Sequence, residues 1–217
     1  PMTIASGAVV SADITNSGAN YTLISDLTLN GGTLTSTNGV SGVANDSGYG
    51  NWRLWGNVYA GGTNASLISA TAIGMNAPTF YVADVTGNTN PDLTISSAIV
   101  VGTSLTKASN GTMLLTGSNS YGSTIISGGT LQIGNGGTNG TLGTGAVTDN
   151  AWLVFNRSDS HIVANAISGS GTMTQMGAGT LILTGTSTFA GNLVINSNTV
   201  VQLGNNGTTG SLGSPTI

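Results

Sequence analysis

The sequence predicts an all-β chain wound as a parallel β-solenoid, and three observations carry that expectation. β-Branched residues and Gly dominate, Glu is absent and no stretch keeps an apolar period near 3.6, which removes helix. Short apolar runs are bounded by Gly, Asn or Ser, the punctuation that strands between tight turns require. The chain also repeats itself: Gly111-Thr112-Met113-Leu114-Leu115-Thr116-Gly117 returns 68 residues later as Gly179-Thr180-Leu181-Ile182-Leu183-Thr184-Gly185.

Taken in order, Pro1 to Val10 alternates well enough to form an opening strand. Leu27-Thr28-Leu29-Asn30-Gly31-Gly32-Thr33-Leu34 and Asn51-Trp52-Arg53-Leu54 follow, separated by a stretch around Gly39–Gly50 that reads as a longer loop interrupting the coils. Thr112–Thr116, Ala151–Phe155, Thr180–Thr184 and Leu193–Ile195 read as later strands. Strand alternation turns Ala151, Leu153 and Phe155 inward and leaves Trp152 and Val154 outward. Trp52 and Trp55 are three apart and so face opposite ways, with Trp55 or Tyr59 exposed beside Arg53. The repeat extends past its core: Tyr121 corresponds to Phe189, Leu131–Asn135 to Val201–Asn205, and Gly140-Thr141-Leu142-Gly143 to Gly210-Ser211-Leu212-Gly213.

Self-similarity of this kind marks stacked units that share one continuous core. At about 20 residues per coil and about 4.8 Å between paired strands, the chain makes roughly ten coils, a rod of about 50 Å. Residues 1–100 read as divergent coils and 101–217 as two clearer repeats continuing the same solenoid. Gly and Asn at the corners accept the positive φ that tight bends demand, so the glycines read as structural.

Composition narrows the function. Only Arg53, Lys107 and Arg157 are cationic, too few to build a nucleic-acid surface. There is no Cys, hence no disulfide or Cys-based metal site, and no apolar run long enough to insert in a membrane. The start, Pro1-Met2-Thr3-Ile4, lacks a secretion signal and reads as a mature or excised segment. Arg157, Asp159 and His161 alternate and would line one face, with Asp149 nearby; the favoured reading is charge pairing on a solvated face, since no nucleophile, oxyanion site or metal set accompanies them. Asp84 with Asp92, or Asp149 with Asp159, are the carboxylate pairs a polysaccharide-degrading enzyme would use. Gly136-Gly137-Thr138-Asn139-Gly140 lacks the Asp of a calcium-binding repeat, and no Gly-rich corner carries a phosphate-loop Lys. No catalytic, metal or cofactor site is therefore expected. Trp55, Tyr59 and Trp152 are the candidate exposed aromatic contacts, for lateral packing, corner capping or stacking on glycans.

The segment Leu105–Tyr121 followed by Ser127-Gly128-Gly129-Thr130-Leu131-Gln132 resembles the passenger-associated strand repeat of bacterial autotransporter-type surface proteins. Ile167–Thr174 with Gly177–Gly185 resembles a second copy, and Leu153–Asp159 is similar as well. The resemblance covers about residues 100–217; Gln175 and Met176 stand where the family commonly has Lys-Thr, and no membrane β-barrel follows. It implies a right-handed parallel β-helix outside a bacterium, within a much longer chain. On this reading the protein is a non-catalytic extracellular structural protein, a repeat unit of a surface fibre or adhesin stalk. A carbohydrate-binding passenger is the alternative and an enzyme the third reading. In the 70-residue register Ile217 falls opposite Val147, so Met2, Ile4 and Val9 at one end and Leu212 and Ile217 at the other are candidate assembly residues. The expected partners are further copies, joined head-to-tail or laterally, or adjacent repeats of a longer chain.

Overall fold

Every assigned element is a short strand and every pairing between strands is parallel, which a chain can achieve only by returning to the same edge once per turn. The computed structural model describes residues 1–13, 22–37, 51–207 and 209–217. The loop expected at Gly39–Gly50 lies outside the described residues. The chain is a β-solenoid of three faces. One is an eight-stranded sheet from Met2–Ile4 to Ile167–Ser168 and the second a nine-stranded sheet from Val9–Asp13 to Asn192–Ile195. The third face is split into a four-stranded sheet, Thr22–Ile24 to Ala98–Val101, and a three-stranded one, His161–Val163 to Val200–Leu203. No helix among the described residues is long and apolar enough to cross a membrane.

Inward positions stack into columns because parallel pairing keeps the same phase in each turn. In the nine-stranded sheet Leu93, Met113, Leu131, Leu153, Met173 and Leu193 form one column, and Leu34, Ile68, Ile95, Leu115, Ile133 and Phe155 another. All are buried, and together with residues such as Val58, Phe80 and Leu105 from the eight-stranded sheet they make one core. Leu153 and Phe155 face inward and Trp152 outward, as the alternation requires. Val154 is outward yet buried, since Leu114, Gln132 and Val154 are neighbours in an outer column and shield one another. The opening segment is two strands, Met2–Ile4 and Val9–Asp13, because a turn at Ser6-Gly7 carries the chain round a corner.

The number of turns is nearer eight than ten. The column residue Val10 pairs with Leu34, Leu34 with Ile68 and Ile68 with Ile95, so early turns take 24, 34 and 27 residues. From Ile95 the partners are Leu115, Ile133, Phe155, Gln175 and Ile195, steps of 20, 18, 22, 20 and 20. Longer corners in the first half use residues without adding height.

The sequence repeat does not equal a whole number of turns. Thr112 stacks on Thr130, then Trp152, then Thr172, all in the nine-stranded sheet. The counterpart of Thr112 is Thr180, one face further on, in the three-stranded sheet. Local structure is nonetheless reproduced: Gln132 Nε2 donates to Gly134 O and Gln202 Nε2 to Gly204 O, both at 2.8 Å, and both glycines have φ near +80°. Tyr121 and Phe189, the paired aromatics, are both fully buried.

Close stacking also fixes some corners sterically. A Cβ on Gly56 would fall on the Ser25 carbonyl of the turn below. Gly169, at φ +106°, sits just as tightly on the Asp149 backbone.

Candidate functional site

Charged residues are few, so the places they occupy are informative. Arg157 and Asp159 lie in the connection between Trp152–Phe155 and His161–Val163, and only His161 begins a strand. The expected alternation along one strand is replaced by a bend that Arg157 organises. Its Nε donates to Asp159 Oδ1 at 3.0 Å and its Nη2 to Asp159 Oδ2 at 2.8 Å, a two-pronged pair, while Nη1 donates to Gly140 O. Gly136 N to Asn156 O and Ser158 N to Gly137 O complete the tie between the two loops. The Arg157 guanidinium holds the Asp159 carboxyl below its usual range. Burial, helped by the Arg157 charge, lowers His161 to about 4, so it is neutral at physiological pH.

His161 also lines a groove of about 300 Å³ with Asn119, Thr141, Thr144, Ile162 and Asn165, at the edge of the three-stranded sheet that His161–Val163 begins. The groove's polar groups are engaged with backbone: Asn165 Nδ2 donates to Gly143 O and Gly145 O, Asn119 Nδ2 to Thr141 O, and Thr144 Oγ1 to Tyr121 O. Such an arrangement braces adjacent turns.

The carboxylates proposed as pairs have separate duties. Asp92 is buried and accepts from Val85 N and Thr86 N through Oδ1 and from Thr112 N through Oδ2, while Asp84 Oδ1 accepts from Gly87 N. Both shape one loop. Asp149 points inward at the end of Val147–Asp149; Oδ1 accepts from Ala151 N, Oδ2 has no hydrogen-bond partner, and burial pushes the carboxyl up to about 7. Lys107 is fully buried in the same sheet, with Nζ donating to Ala108 O, Ser109 O and Gly128 O across two turns. Burial lowers it to about 8 against the opposing charge of Asp92. Its inward place was readable from alternation with Leu105. Gln175 likewise faces the core and donates from Nε2 to Gly177 O and Gly179 O.

Trp52 is buried, with Nε1 on Thr35 O, and Trp55 is exposed, the opposite orientations that their spacing requires. Both Trp55 and Tyr59 are exposed, and Arg53 lies over Gly74. Trp152 stands on the outer face between Thr130 and Thr172. Sequence reasoning missed Tyr81, which pairs with Tyr59 in the adjacent strand; the rings stack at 5.1 Å between centroids and 6° between planes. The signal was present as apolar-Tyr-apolar in both Val58-Tyr59-Ala60 and Phe80-Tyr81-Val82.

Of the candidate assembly residues, Val9 and Ile217 are exposed, Met2 is half-buried, and Ile4 and Leu212 are buried. Leu212 and Ile217 line an apolar cleft of about 390 Å³ with Leu193, Ile195, Val201 and Leu203 on the last turn.

Comparison with known proteins places this geometry. A stretch of 70 residues is 47% identical to the adhesin BmaC autotransporter of Brucella suis biovar 1 (strain 1330), covering 32% of this chain and 2% of that protein. The chain thus spans a small fraction of that relative's length. No solved structure matches. The family described as passenger-associated-transport-repeat matches residues 105–133 and 173–212. Those two stretches enclose the strands whose corners, buried aromatics and Gln-to-carbonyl bonds recur in space, so the two copies that match the passenger-associated-transport-repeat are also the two that repeat one another in local structure.

Proposed function

We propose that the segment is a non-catalytic shaft element of an adhesin-type passenger, stacking end to end with further coils and, in the purified protein, with further copies of itself. The observation that supports this reading is the core column that runs unbroken from Leu34 to Phe155 and stays open at the last turn. There Ile195 and Leu203 are about half exposed around the apolar cleft. Strand Val200–Leu203 is the outermost of its sheet, as are Met2–Ile4, Val9–Asp13 and Thr22–Ile24 at the opposite end, whereas Asn192–Ile195 is bridged on its outer side by Thr216, whose carbonyl accepts from Leu193 N. Unpaired strand edges beside exposed apolar side chains favour edge-to-edge association. A contact between unlike ends does not close, so it propagates as a filament. The nearly uncharged Thr/Asn/Ser surface lets shafts lie side by side without mutual repulsion.

Sedimentation velocity and electron microscopy across concentration and ionic strength test the reading. Linear rods one solenoid wide, growing with concentration and lost in Leu203→Asp, are expected. A species that stays monomeric under all conditions discards copy-to-copy stacking.

A further inference from the structure

The outer face of the eight-stranded sheet carries one column in which Thr3, Thr28, Tyr59, Tyr81 and Ala108 follow one another in register. Two aromatic rings stand in the middle of a row of small side chains. They are parallel and separated by about one strand step, so their planes lie across the column and each ring covers one face of the other. The remaining face of Tyr59 looks toward Thr28 and Thr3, and that of Tyr81 toward Ala108; neither neighbour has the bulk to cover it. Two positions away in the same strands lie Asn57 and Gly61, Thr79 and Ala83, again small or uncharged. Asn57 is held in place, its Oδ1 accepting from Thr79 N and its N donating to Asp26 Oδ1.

From this arrangement we infer a glycan-binding site: a neutral pyranose unit stacks its C–H face on the free face of Tyr59, above the Thr28 and Thr3 hydroxyls. The sugar takes the next place in the aromatic column, and Tyr81 holds Tyr59 upright from behind. Aromatic rings suit this role because they present a rigid apolar plane at low conformational cost. The rim narrows the ligand class. An anionic polymer needs cations, yet Lys107 is buried on backbone carbonyls, Arg157 is paired with Asp159, and Arg53 belongs to a strand of another face, where its side chain lies over Gly74. A protein partner needs a contiguous surface of about 1,000 Å² or more, which two half-exposed rings amid small polar residues do not offer. A single sugar ring with hydroxyl partners matches both the size and the chemistry. The inference goes beyond the shaft reading, since a shaft has no need of an exposed ring pair.

The test is calorimetric titration of the purified chain with cellohexaose, maltohexaose and chitohexaose, and with a heparin hexasaccharide as the anionic probe. Saturable binding to at least one neutral hexasaccharide is expected, with no heparin binding. Tyr59→Ala lowers affinity about tenfold, and Tyr81→Ala lowers it too, by freeing the Tyr59 ring. Tyr59→Phe keeps the plane and retains binding, and Trp152→Ala leaves it unchanged. No binding to any neutral probe overturns the site. So does binding that survives Tyr59→Ala, or that disappears with Trp152→Ala. Sedimentation of the same variants separates this from the shaft reading: Tyr59→Ala assembles as the parent does while losing the sugar, whereas Leu203→Asp does the reverse.

Discussion

The first three turns and the last five solve the same packing problem with different freedom. Up to Ile95 a turn takes 24 to 34 residues; beyond it, 18 to 22. Between Leu34 and Phe155 the core column is buried in both regions alike. What stacking demands is therefore the phase of inward side chains, while corner length is free wherever a loop can leave the shaft and return. Two buried aspartates show the consequence. Asp92 belongs to a long corner, and that loop supplies amides from Val85 and Thr86, with Thr112 completing its partners. Asp149 belongs to a short corner, which supplies one amide, from Ala151, and leaves an oxygen without a partner. Spare chain solvates a buried charge; a tight turn does not.

The sharpest way to break the comparison is to add one residue in each region. Inserted inside Thr130–Ile133, a residue shifts everything after it by one and turns the inward set of that strand outward. Loss of the cooperative thermal transition is expected by circular dichroism. The same insertion at Gly87-Asn88, in the exposed part of the Asp92 loop, costs only loop entropy of well under 1 kcal/mol and leaves the spectrum unchanged. Equal damage at both sites would mean that corner length is constrained throughout.

A smaller effect separates the two regions by pH. Asp149 has a folded value near 7, raised by burial from 3.8. Its stability contribution is therefore fully present below about pH 4 and lost as pH rises through 7, where the folded state must bury a charge. Asp149→Asn is expected to match the parent at pH 4 and to melt higher at pH 8, by roughly 5 °C. An unchanged Tm at pH 8 would show that the carboxylate finds a partner. The smallest effect concerns His161, whose value falls from 6.5 to about 4. Its neutral form favours folding above pH 6.5, and that contribution is lost as pH falls through 4. His161→Gln is expected to flatten the acid side of the Tm profile between those limits, without moving the profile above pH 7.

Strand positions and facing were legible because alternation is a local property: Leu153 inward, Trp152 outward, and Trp52 and Trp55 on opposite sides all follow from counting by two. Turn length was not, because it depends on how far a loop such as Val85–Asn90 departs from the shaft, and the strands on either side carry no record of that. The bend at Arg157 was hidden for a related reason. Arg157, Asp159 and His161 have strand spacing, but a two-pronged ion pair between residues two apart and a third donor on Gly140 hold the backbone out of the ladder. Lys107 and Asp149 were legible by phase, since each alternates with an apolar inward neighbour. Composition argues for exposing charge, so phase is the better guide in a shaft this narrow.

The mismatch between the sequence repeat and the turn has a consequence for anything that meets the shaft from the side. One copy of the motif is followed by the next after three turns and one face, so a polypeptide continuing this pattern would carry its copies around the axis like steps on a spiral stair. Three copies would look out in all three directions. Such a stalk needs no particular rotation about its own length to bring one of them to bear on an approaching surface.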